Sequence, residues 1–382
     1  MFSRRTSWNL APNRFTEALE RARAQGQRTF DLTASNPTTA GFSYDNALLQ
    51  ALTHPQGLTY RPEAKGLIDA RRAVAAYYRG RADVLPEQIL LTAGTSEAYS
   101  FAFRLLCEPG DEVLVAAPGY PLFDFLAELQ DVCLLQFPMF YDHGWHLDLH
   151  ALETAASKRT RAVLLVHPNN PTGSFIKPAE AQQLNALCRA RDWALVVDEV
   201  FLDFSHGDPA TTFAANDGAL TFTLSGLSKI SGLPQMKLGW MVVSGPPEAA
   251  REAVSRLEVI ADTYLSVGIP VQLAAPALLD SRHDFQRQLM ERVRANLAEL
   301  DRQLAGHARV RRLEIEAGWY AVLRVPATRS DEELAIEILQ RAHVEIHPGH
   351  FFDFPADGYL VVSLITPPDD FREGIRRILA LL

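Results

Sequence analysis

The stretch TLSGLSKISGLPQMKLGW, residues 223–240, leads from an apolar strand pattern into small hydroxyl and glycine residues and then to Lys229. Burial disfavours the charged form of a lysine, so a lysine inside such a turn tends toward a neutral, nucleophilic amine. That amine can form a Schiff base with an aldehyde. A surface-loop lysine that extends its amine into solvent fits the same stretch equally well. The rest of the chain has to decide between these two interpretations.

Short apolar runs recur on both sides of this stretch, and helical patterns separate them. Each run has the length and composition of a buried strand. The predicted strands are residues 89–92, 113–117, 162–166, 193–197, 219–224 and 238–244. Regular alternation of strands and helices favours an α/β fold with a mixed, mostly parallel sheet and helices on both faces.

The pattern changes near residue 270, where a long helix at 282–304 leads into an α+β tail. In this tail we predict strands at 311–315, 319–325 and 359–365, and helices at 331–342 and 371–381. A chain of 382 residues is long enough for two domains. We therefore expect an N-terminal arm at 1–40 that packs with the small domain, a large domain at 41–270 and a small domain at 271–382.

Gly94-Thr95-Ser96 follows the strand at 89–92 and precedes a helix with apolar residues at helical spacing. A strand, a glycine, hydroxyl residues and a helix start place free backbone N–H groups together, which predicts a site for an anion such as phosphate. A capped helix without any ligand is the alternative.

Polar side chains follow three other predicted strands. Tyr120 lies between two prolines after residues 113–117, where its ring can stack on a planar ligand or simply cover apolar surface. Asn170 precedes a proline that holds its backbone extended. Asp198 directly follows an apolar run, so it needs a cationic or donor partner, or else it caps the next helix. We expect His167, in the loop of Asn170, to be hydrogen-bonded locally.

The composition excludes several classes of protein. The net charge is −9 and the pI about 5.7, which gives no basic surface for nucleic acid. No 18-residue apolar segment exists to cross a membrane. The three cysteines lack metal-ligand spacing, and the chain starts without a signal peptide pattern. We therefore expect a cytoplasmic protein without a metal site.

These motifs are each weak, but their order along nearly the whole chain resembles that of the fold-type-I, pyridoxal-phosphate-dependent aminotransferases of class I/II. The motifs that carry the resemblance are Tyr60 with Gly66, Gly94-Thr95-Ser96, Pro118-x-Tyr120, Asn170-Pro171-Thr172-Gly173, Asp198-Glu199, Ser228-Lys229 and Lys237. The resemblance implies pyridoxal 5'-phosphate as the cofactor and an amino acid and a 2-oxo acid as substrates.

The resemblance also implies roles for these residues. Lys229 would hold the cofactor as an internal aldimine and later shuttle the substrate proton. Asp198 would pair with the pyridine nitrogen, Asn170 would hydrogen-bond the phenolic oxygen, and Tyr120 would stack on the ring. The phosphate would be held by a set of groups in three loops: Gly94, the backbone of Thr95 and Ser96, Ser228 and Lys237. Tyr60 would reach the cofactor of a neighbouring subunit, which implies a homodimer with shared active sites.

Four positions depart from the family's usual pattern. Lys237 replaces an arginine, which keeps the charge but loses the bidentate fork. Gly226 replaces a serine, for which Ser225 could substitute. Phe201 replaces a tyrosine that donates to the phenolic oxygen. We therefore expect the Schiff base to hold its proton more tightly than is usual in the family, with a higher pKa.

The fourth departure is Val361, which stands where the family has the arginine that binds the substrate carboxylate. Another group would have to hold that carboxylate. Candidate substitutes, any of which could instead be ordinary loop residues, are Asn36, Arg61, Lys65, His347 and His350.

Three functions remain compatible with the residues. The first is an aminotransferase that works by ping-pong exchange. The second is a lyase or decarboxylase with the same fold and cofactor, which the missing arginine favours. The third, a cofactor-sensing regulator, is disfavoured because only about 35 residues precede Asn36, too few for a DNA-binding module. No motif names the amino donor or acceptor.

Overall fold

The computed structural model describes residues 1–382 and contains fourteen strands and thirteen α-helices. The strands are β1 Phe30–Asp31, β2 Ile89–Thr92, β3 Glu112–Ala117, β4 Cys133–Tyr141, β5 Trp145–Leu147, β6 Thr160–Val166, β7 Ala194–Asp198, β8 Thr221–Gly226, β9 Gly239–Ser244, β10 Arg311–Arg312, β11 Tyr320–Arg324, β12 Val344–Glu345, β13 His347–Pro348 and β14 Tyr359–Ser363. The helices are α1 Arg14–Ala24, α2 Ala47–Ala51, α3 Ile68–Tyr77, α4 Thr95–Leu106, α5 Phe123–Glu128, α6 Leu149–Ala155, α7 Pro178–Arg191, α8 Leu227–Ile230, α9 Pro247–Tyr264, α10 Ile269–Asp280, α11 Arg282–Leu304, α12 Asp331–Glu337 and α13 Pro368–Leu381.

Eight strands form one large sheet in the order β2-β9-β8-β7-β6-β3-β4-β5. Strands β5 and β9 run antiparallel to their neighbours, and the other pairings are parallel. Strands β3, β8 and β9 are buried along their whole length, as expected for a sheet covered by helices on both faces. The predicted α/β class, with a mixed and mostly parallel sheet, is confirmed.

The carboxyl ends of β2, β3, β6, β7 and β8 lie at one edge of this sheet. The register places Asp198 between Val166 of β6 and Leu224 of β8. Strand β9 is antiparallel, so its first residue, Gly239, lies at the same edge and pairs with Gly226. The loops that follow these strands, and the loop before β9, therefore converge, as in other open α/β sheets.

Three glycines make this convergence close. A Cβ on Gly239 would lie 2.9 Å from the Gly94 Cα, and a Cβ on Gly226 would lie 3.0 Å from the Gly239 Cα. The first distance is shorter than real Cβ contacts, and the second is tighter than most of them, so glycine lets the start of α4 approach β8 and β9 this closely.

The remaining strands build the C-terminal part, an antiparallel sheet in the order β10-β11-β14-β13. The N-terminal segment packs on this part, because β1 pairs with β12 and α1 contacts α12. Helix α10 packs on α3 and α2 of the large-sheet part. The domain boundary near residue 270 remains a prediction.

Most predicted elements are present within one or two residues of the expected bounds, but some expectations were wrong. Strands β4 and β5 and helix α10 were not predicted. Strand β4 alternates irregularly in burial and contains Pro138, which removes a ladder donor and weakens the strand signal. The predicted strand at 311–315 is only two residues long. The helix predicted at 331–342 has the expected bounds, with α12 followed directly by a π-helix at Ile338–Ala342. None of the helices is both long and apolar enough to cross a membrane.

Candidate active site

A cleft of about 760 Å³, partly open to solvent, lies at the carboxyl edge of the large sheet. Its walls come from the loops after β2, β3, β6, β7 and β8, from α4 and α5, and from β11 of the C-terminal part. The residues that line it are Ser35, Thr95, Ser96, Tyr99, Tyr120, Phe123, Leu126, Val166, Asn170, Asp198, Val200, Phe201, Ser228, Lys229 and Tyr320.

Lys229 lies in α8, immediately after β8, and its amine faces the cleft. The Nζ atom lies 5.3 Å from the ring centre of Trp319 and 5.8 Å from that of Phe201. Burial lowers the pKa of Lys229, and the nearby Asp198 partly opposes that shift. The side chain is therefore held inside the protein, as the first of the two interpretations of its loop requires.

Asp198 is buried at the end of β7, and both of its oxygens accept a hydrogen bond. The Tyr99 hydroxyl donates to Oδ2 at 2.6 Å, and the Val200 N–H donates to Oδ1 at 2.9 Å. Burial raises the pKa of Asp198 to about 6, although these two donors and Lys229 lower it. The carboxylate thus has donors for both oxygens but no ion pair of its own.

Asn170 and Asn169 are adjacent but differ in their bonding. The Asn169 amide donates to the Pro118 carbonyl at 3.1 Å and to the Thr172 hydroxyl at 2.9 Å. The Asn170 side chain is buried, and its Oδ1 has no hydrogen-bond partner in the chain. A buried amide without a partner is costly, and a polar ligand in the cleft would supply one.

The start of α4 forms a cradle for an anion. Thr95 and Ser96 line the cleft with their free backbone N–H groups in the first turn of this helix of 12 residues. The Lys237 amine lies 3.9 Å from the position that a Cβ on Gly94 would take. A positive charge and helix N–H groups therefore meet at one point, and Ser228 lines the same cleft.

The structure does not bring Ser225 into the cleft. Ser225 pairs with Trp240 across β8 and β9, so the two side chains share the face opposite α4. Its hydroxyl is buried there without a partner. At Gly226, the neighbouring position, a Cβ would lie 3.0 Å from the Gly239 Cα and 3.1 Å from the Leu238 carbonyl oxygen, which leaves little space for a side chain. The expected substitution of Ser225 for a serine at Gly226 is therefore wrong.

Tyr60 and Arg61 lie outside the cleft, in a separate groove with Leu265 and Gly268. The Tyr60 side chain is 75% exposed. Arg61 pairs with Glu63 at 3.2 Å.

The other proposed substrate-binding residues do not line the cleft either. Lys65 pairs with Glu258 at 3.6 Å. Asn36 accepts the Thr38 N–H at 3.0 Å as a turn cap, and His350 is exposed in a short turn. His347 pairs with Val361 in the small sheet.

Val361 is fully buried in β14 and pairs with Val322 of the neighbouring strand β11. Tyr320 and Ser363 lie opposite each other on the same face of this sheet, and Tyr320 lines the cleft. No arginine lines the cleft, so the single chain offers no guanidinium to a substrate carboxylate. The cleft walls near Tyr320 are largely aromatic and apolar.

Several residues of the site were missed in the sequence. Tyr99 lies four residues after Thr95, so the 3.6-residue period of α4 places both on the cleft side. That spacing could have identified Tyr99. Trp319, Tyr320 and Ser35 come from distant parts of the chain, and no local pattern indicates them. His167 is locally bonded as expected, accepting from the Ile176 N–H at 3.1 Å and contacting the Thr211 carbonyl.

A lysine amine, a carboxylate and an anion cradle in one cleft define a site suited to a phosphorylated aldehyde. The sequence profile described as "Aminotransferase class I and II" matches residues 29–378. The chain belongs to this family.

The chain is similar to individual members of this family over most of its length. It is 26% identical to the alanine aminotransferase of Mycobacterium tuberculosis, covering 94% of this chain and 86% of that protein. It is also 26% identical to the glutamate-pyruvate aminotransferase of Escherichia coli, covering 95% and 92%. The fold matches that of an alanine aminotransferase from Pyrococcus furiosus with a TM-score of 0.91, at 20% identity, covering 100% and 99%.

Proposed function

We propose that the protein is a pyridoxal-phosphate-dependent aminotransferase that exchanges an amino group between an amino acid and a 2-oxo acid. The observation that carries this proposal is the presence of Lys229, Asp198 and the α4 cradle in one cleft. The relatives named above are aminotransferases, which supports transamination over the lyase alternative.

The residues present fit the cofactor. The unpaired Asn170 amide and the cradle with Lys237 are groups that a phosphorylated pyridine would satisfy. Pyridoxal phosphate supplies an aldehyde that binds the amino group and a ring that accepts electrons from the substrate α-carbon. Asp198 would hold the ring nitrogen, and Tyr120, which lines the cleft, would cover the ring face.

Lys229 has two tasks in this proposal. Burial lowers the pKa of Lys229, which favours the neutral, nucleophilic amine that binds an aldehyde. Once released, the same amine is positioned to take the proton from the α-carbon and return it. Trp319 and Phe201 border this amine and limit the access of water to it.

We also propose a homodimer in which Tyr60, and with it Arg61, reaches the cleft of the partner subunit. Leu58 and Tyr60 are 96% and 75% exposed, which is unusual for large apolar side chains next to a groove. In this arrangement Arg61 would supply the guanidinium that the cleft of a single chain lacks, for a substrate carboxylate. Asn36 and His350 remain further candidates for binding the substrate.

We also propose a cytoplasmic location, because the three cysteines are few and none forms a disulfide.

Borohydride reduction of the protein after incubation with pyridoxal phosphate tests the attachment. We expect a single labelled peptide that contains Lys229, and no label in Lys229→Ala. A panel of amino acids in single turnover then tests the reaction. Conversion to the pyridoxamine form with release of a 2-oxo acid supports transamination, whereas product release with the starting absorbance restored supports a lyase. A colourless protein would contradict the proposal.

A further inference from the structure

Tyr99 is a cleft residue whose hydroxyl faces away from solvent and toward a carboxylate. The side chain is 2% exposed, and its hydroxyl donates to Asp198 Oδ2 at 2.6 Å. Its ring is fixed by an edge-to-face contact with Phe123, with the ring centres 5.2 Å apart. Because Tyr99 belongs to α4, the helix that forms the anion cradle also provides a donor to Asp198.

The Asp198 carboxylate has a limited set of partners. Its Oδ1 accepts the Val200 N–H at 2.9 Å, and its Oδ2 accepts the Tyr99 hydroxyl. Each carboxylate oxygen can accept two hydrogen bonds, so one acceptor position per oxygen stays free. No arginine or lysine forms a salt bridge with it, so the two donors fix its orientation.

Burial determines which of Tyr99 and Asp198 carries the proton of their hydrogen bond. Burial and the charge of Asp198 raise the pKa of Tyr99 well above its ordinary value, so the phenol keeps its proton. The hydrogen bond from Tyr99 lowers the pKa of Asp198, against the larger effect of burial. Tyr99 is therefore neutral, and its hydrogen bond favours the ionised form of Asp198.

We propose that Tyr99 is a positioning residue, whose hydroxyl holds Asp198 ionised and oriented with a free lone pair toward the ring nitrogen of the bound cofactor. The inference rests on the proposed function, because it gives Asp198 a ring nitrogen to meet. Without the hydroxyl, Asp198 would keep one donor and would rotate and protonate more readily. Cofactor binding would weaken as a result.

The chain offers a matched control in Tyr77. The Tyr77 hydroxyl also donates to a buried carboxylate, Asp203, at 2.9 Å, and neither residue lines the cleft. Tyr77→Phe and Tyr99→Phe therefore each remove one hydrogen bond from a helix tyrosine to a buried carboxylate, although Asp203 also pairs with Arg81. Only Tyr99→Phe changes the environment of Asp198.

The first measurement is the dissociation constant of pyridoxal phosphate, from absorbance titrations of the apo-protein between pH 6 and 8.5. We expect Tyr99→Phe to raise the constant about tenfold or more, because a hydrogen bond to a charged group is lost. As the pH is lowered, the affinity of the variant for pyridoxal phosphate should begin to fall at a higher pH than that of the wild type. Tyr77→Phe should bind within about twofold of the wild type, with an unshifted profile.

The second measurement needs no cofactor. The stability of the Tyr99→Phe apo-protein, relative to the wild type, should decline as the pH rises through the range where Asp198 ionises, and then level off. In the Asp198→Asn background the same substitution should have an effect that does not depend on pH. Tyr99→Leu, which also lacks the hydroxyl, serves as a second variant if the phenylalanine variant does not fold.

Tyr99 variants that match Tyr77→Phe in both measurements, while the wild type binds the cofactor, overturn the positioning role and leave the proposed function standing. A wild-type protein that does not bind the cofactor overturns the proposed function and this inference with it. A shift confined to the Tyr99 variants supports both.

Discussion

Burial alters Asp198 and Lys229 in opposite senses. Loss of water raises the pKa of the Asp198 carboxyl to about 6 and lowers the pKa of the Lys229 amine. Burial disfavours the charged form of each group, whereas the charge of each group stabilises the charged form of the other. The cleft therefore holds two groups that a cofactor with an aldehyde and a ring nitrogen would match. Such perturbed groups are typical of functional sites and reduce the stability of the fold that contains them.

Asp198→Asn should gain stability relative to the wild-type apo-protein as the pH rises from 4 to 7. The pKa of Asp198 rises from 3.8 to about 6 on folding, so its contribution to stability is present below pH 4 and is lost as the pH rises through 6. The free energy of unfolding of the variant minus that of the wild type should therefore increase by roughly 2 kcal/mol between pH 4 and 7. Urea unfolding of both apo-proteins across this range measures it. A difference that stays flat with pH would show that Asp198 ionises normally in the folded protein.

Phe201→Tyr should lower the pKa of the Schiff base on Lys229. Phe201 lines the cleft and packs edge-to-face on Trp319, with the ring centres 5.0 Å apart. A hydroxyl on this ring would donate to the phenolic oxygen of the cofactor and stabilise the unprotonated imine, by about one pKa unit for a hydrogen bond of ~1.4 kcal/mol. Spectrophotometric pH titration of both holo-proteins measures the shift. Equal values, or a higher one in the variant, would contradict the role assigned to position 201.

At the scale of elements, the site depends on how closely α4 approaches the edge of the large sheet. The amino end of α4 carries the N–H groups of the cradle, and β9 starts beside it at Gly239. Gly239 pairs with Thr92 on one side and Gly226 on the other. The absence of side chains at this junction determines where the helix end lies relative to Lys237.

Gly239→Ala should destabilise the protein and weaken phosphate binding. The new Cβ would lie 2.9 Å from the Gly94 Cα and 3.2 Å from the Ser225 carbonyl, and backbone atoms cannot move aside as side-chain ends do. We expect a loss of about 1–3 kcal/mol in stability and a higher dissociation constant for pyridoxal phosphate. Gly207→Ala is the control, because nothing lies within 4 Å of its Cβ position. Thermal melts and cofactor titrations that leave the two variants alike would rule out the close approach.

At the scale of the whole molecule, the cleft of one chain lacks Tyr60 and any arginine. Both Tyr60 and Arg61 lie in the groove with Leu265 and Gly268, away from Lys229. A symmetric dimer repeats each contact twice, so one such contact would complete two clefts. Leu58 and Tyr60 would then be exposed to water only in the single chain and would be covered in the dimer.

The protein should elute with a mass of about 85 kDa, twice the chain mass of 42.4 kDa. A mixture of Lys229→Ala and Tyr60→Ala chains then tests whether the site is shared. After subunit exchange, half of the dimers should be mixed, and each mixed dimer should contain one intact site, giving about a quarter of the wild-type sites.

Each variant incubated alone under the same conditions is the control for the mixture. A mixture no more active than the two separate variants would show that Tyr60 acts within its own chain or not at all.

Part of the local chemistry of the site could be predicted from the sequence, because several of its residues follow apolar runs of the length typical of a buried strand. Asp198, Asn170, Tyr120 and Lys229 were placed at strand ends by this reasoning, and the structure brings all four to one cleft. The carboxyl ends of parallel strands lie at one edge of the sheet, so the positions of the strands in the sequence are sufficient to predict that these residues lie near one another. Strand β4, the edge strand β5 and helix α10 were missed because their burial is mixed and their periodicity weak.

The amino-acid order alone determined the α/β class and the positions of Lys229 and of the glycine-hydroxyl turn before α4 at strand ends, since these follow from local patterns of burial and spacing. Only the tertiary structure decided which hydroxyl contacts Asp198, that Trp319 borders the lysine amine, and that Ser225 faces away from the cradle. These contacts join residues distant in the chain, or depend on which face of a strand a side chain takes. Packing of the whole fold, rather than any local signal, sets them.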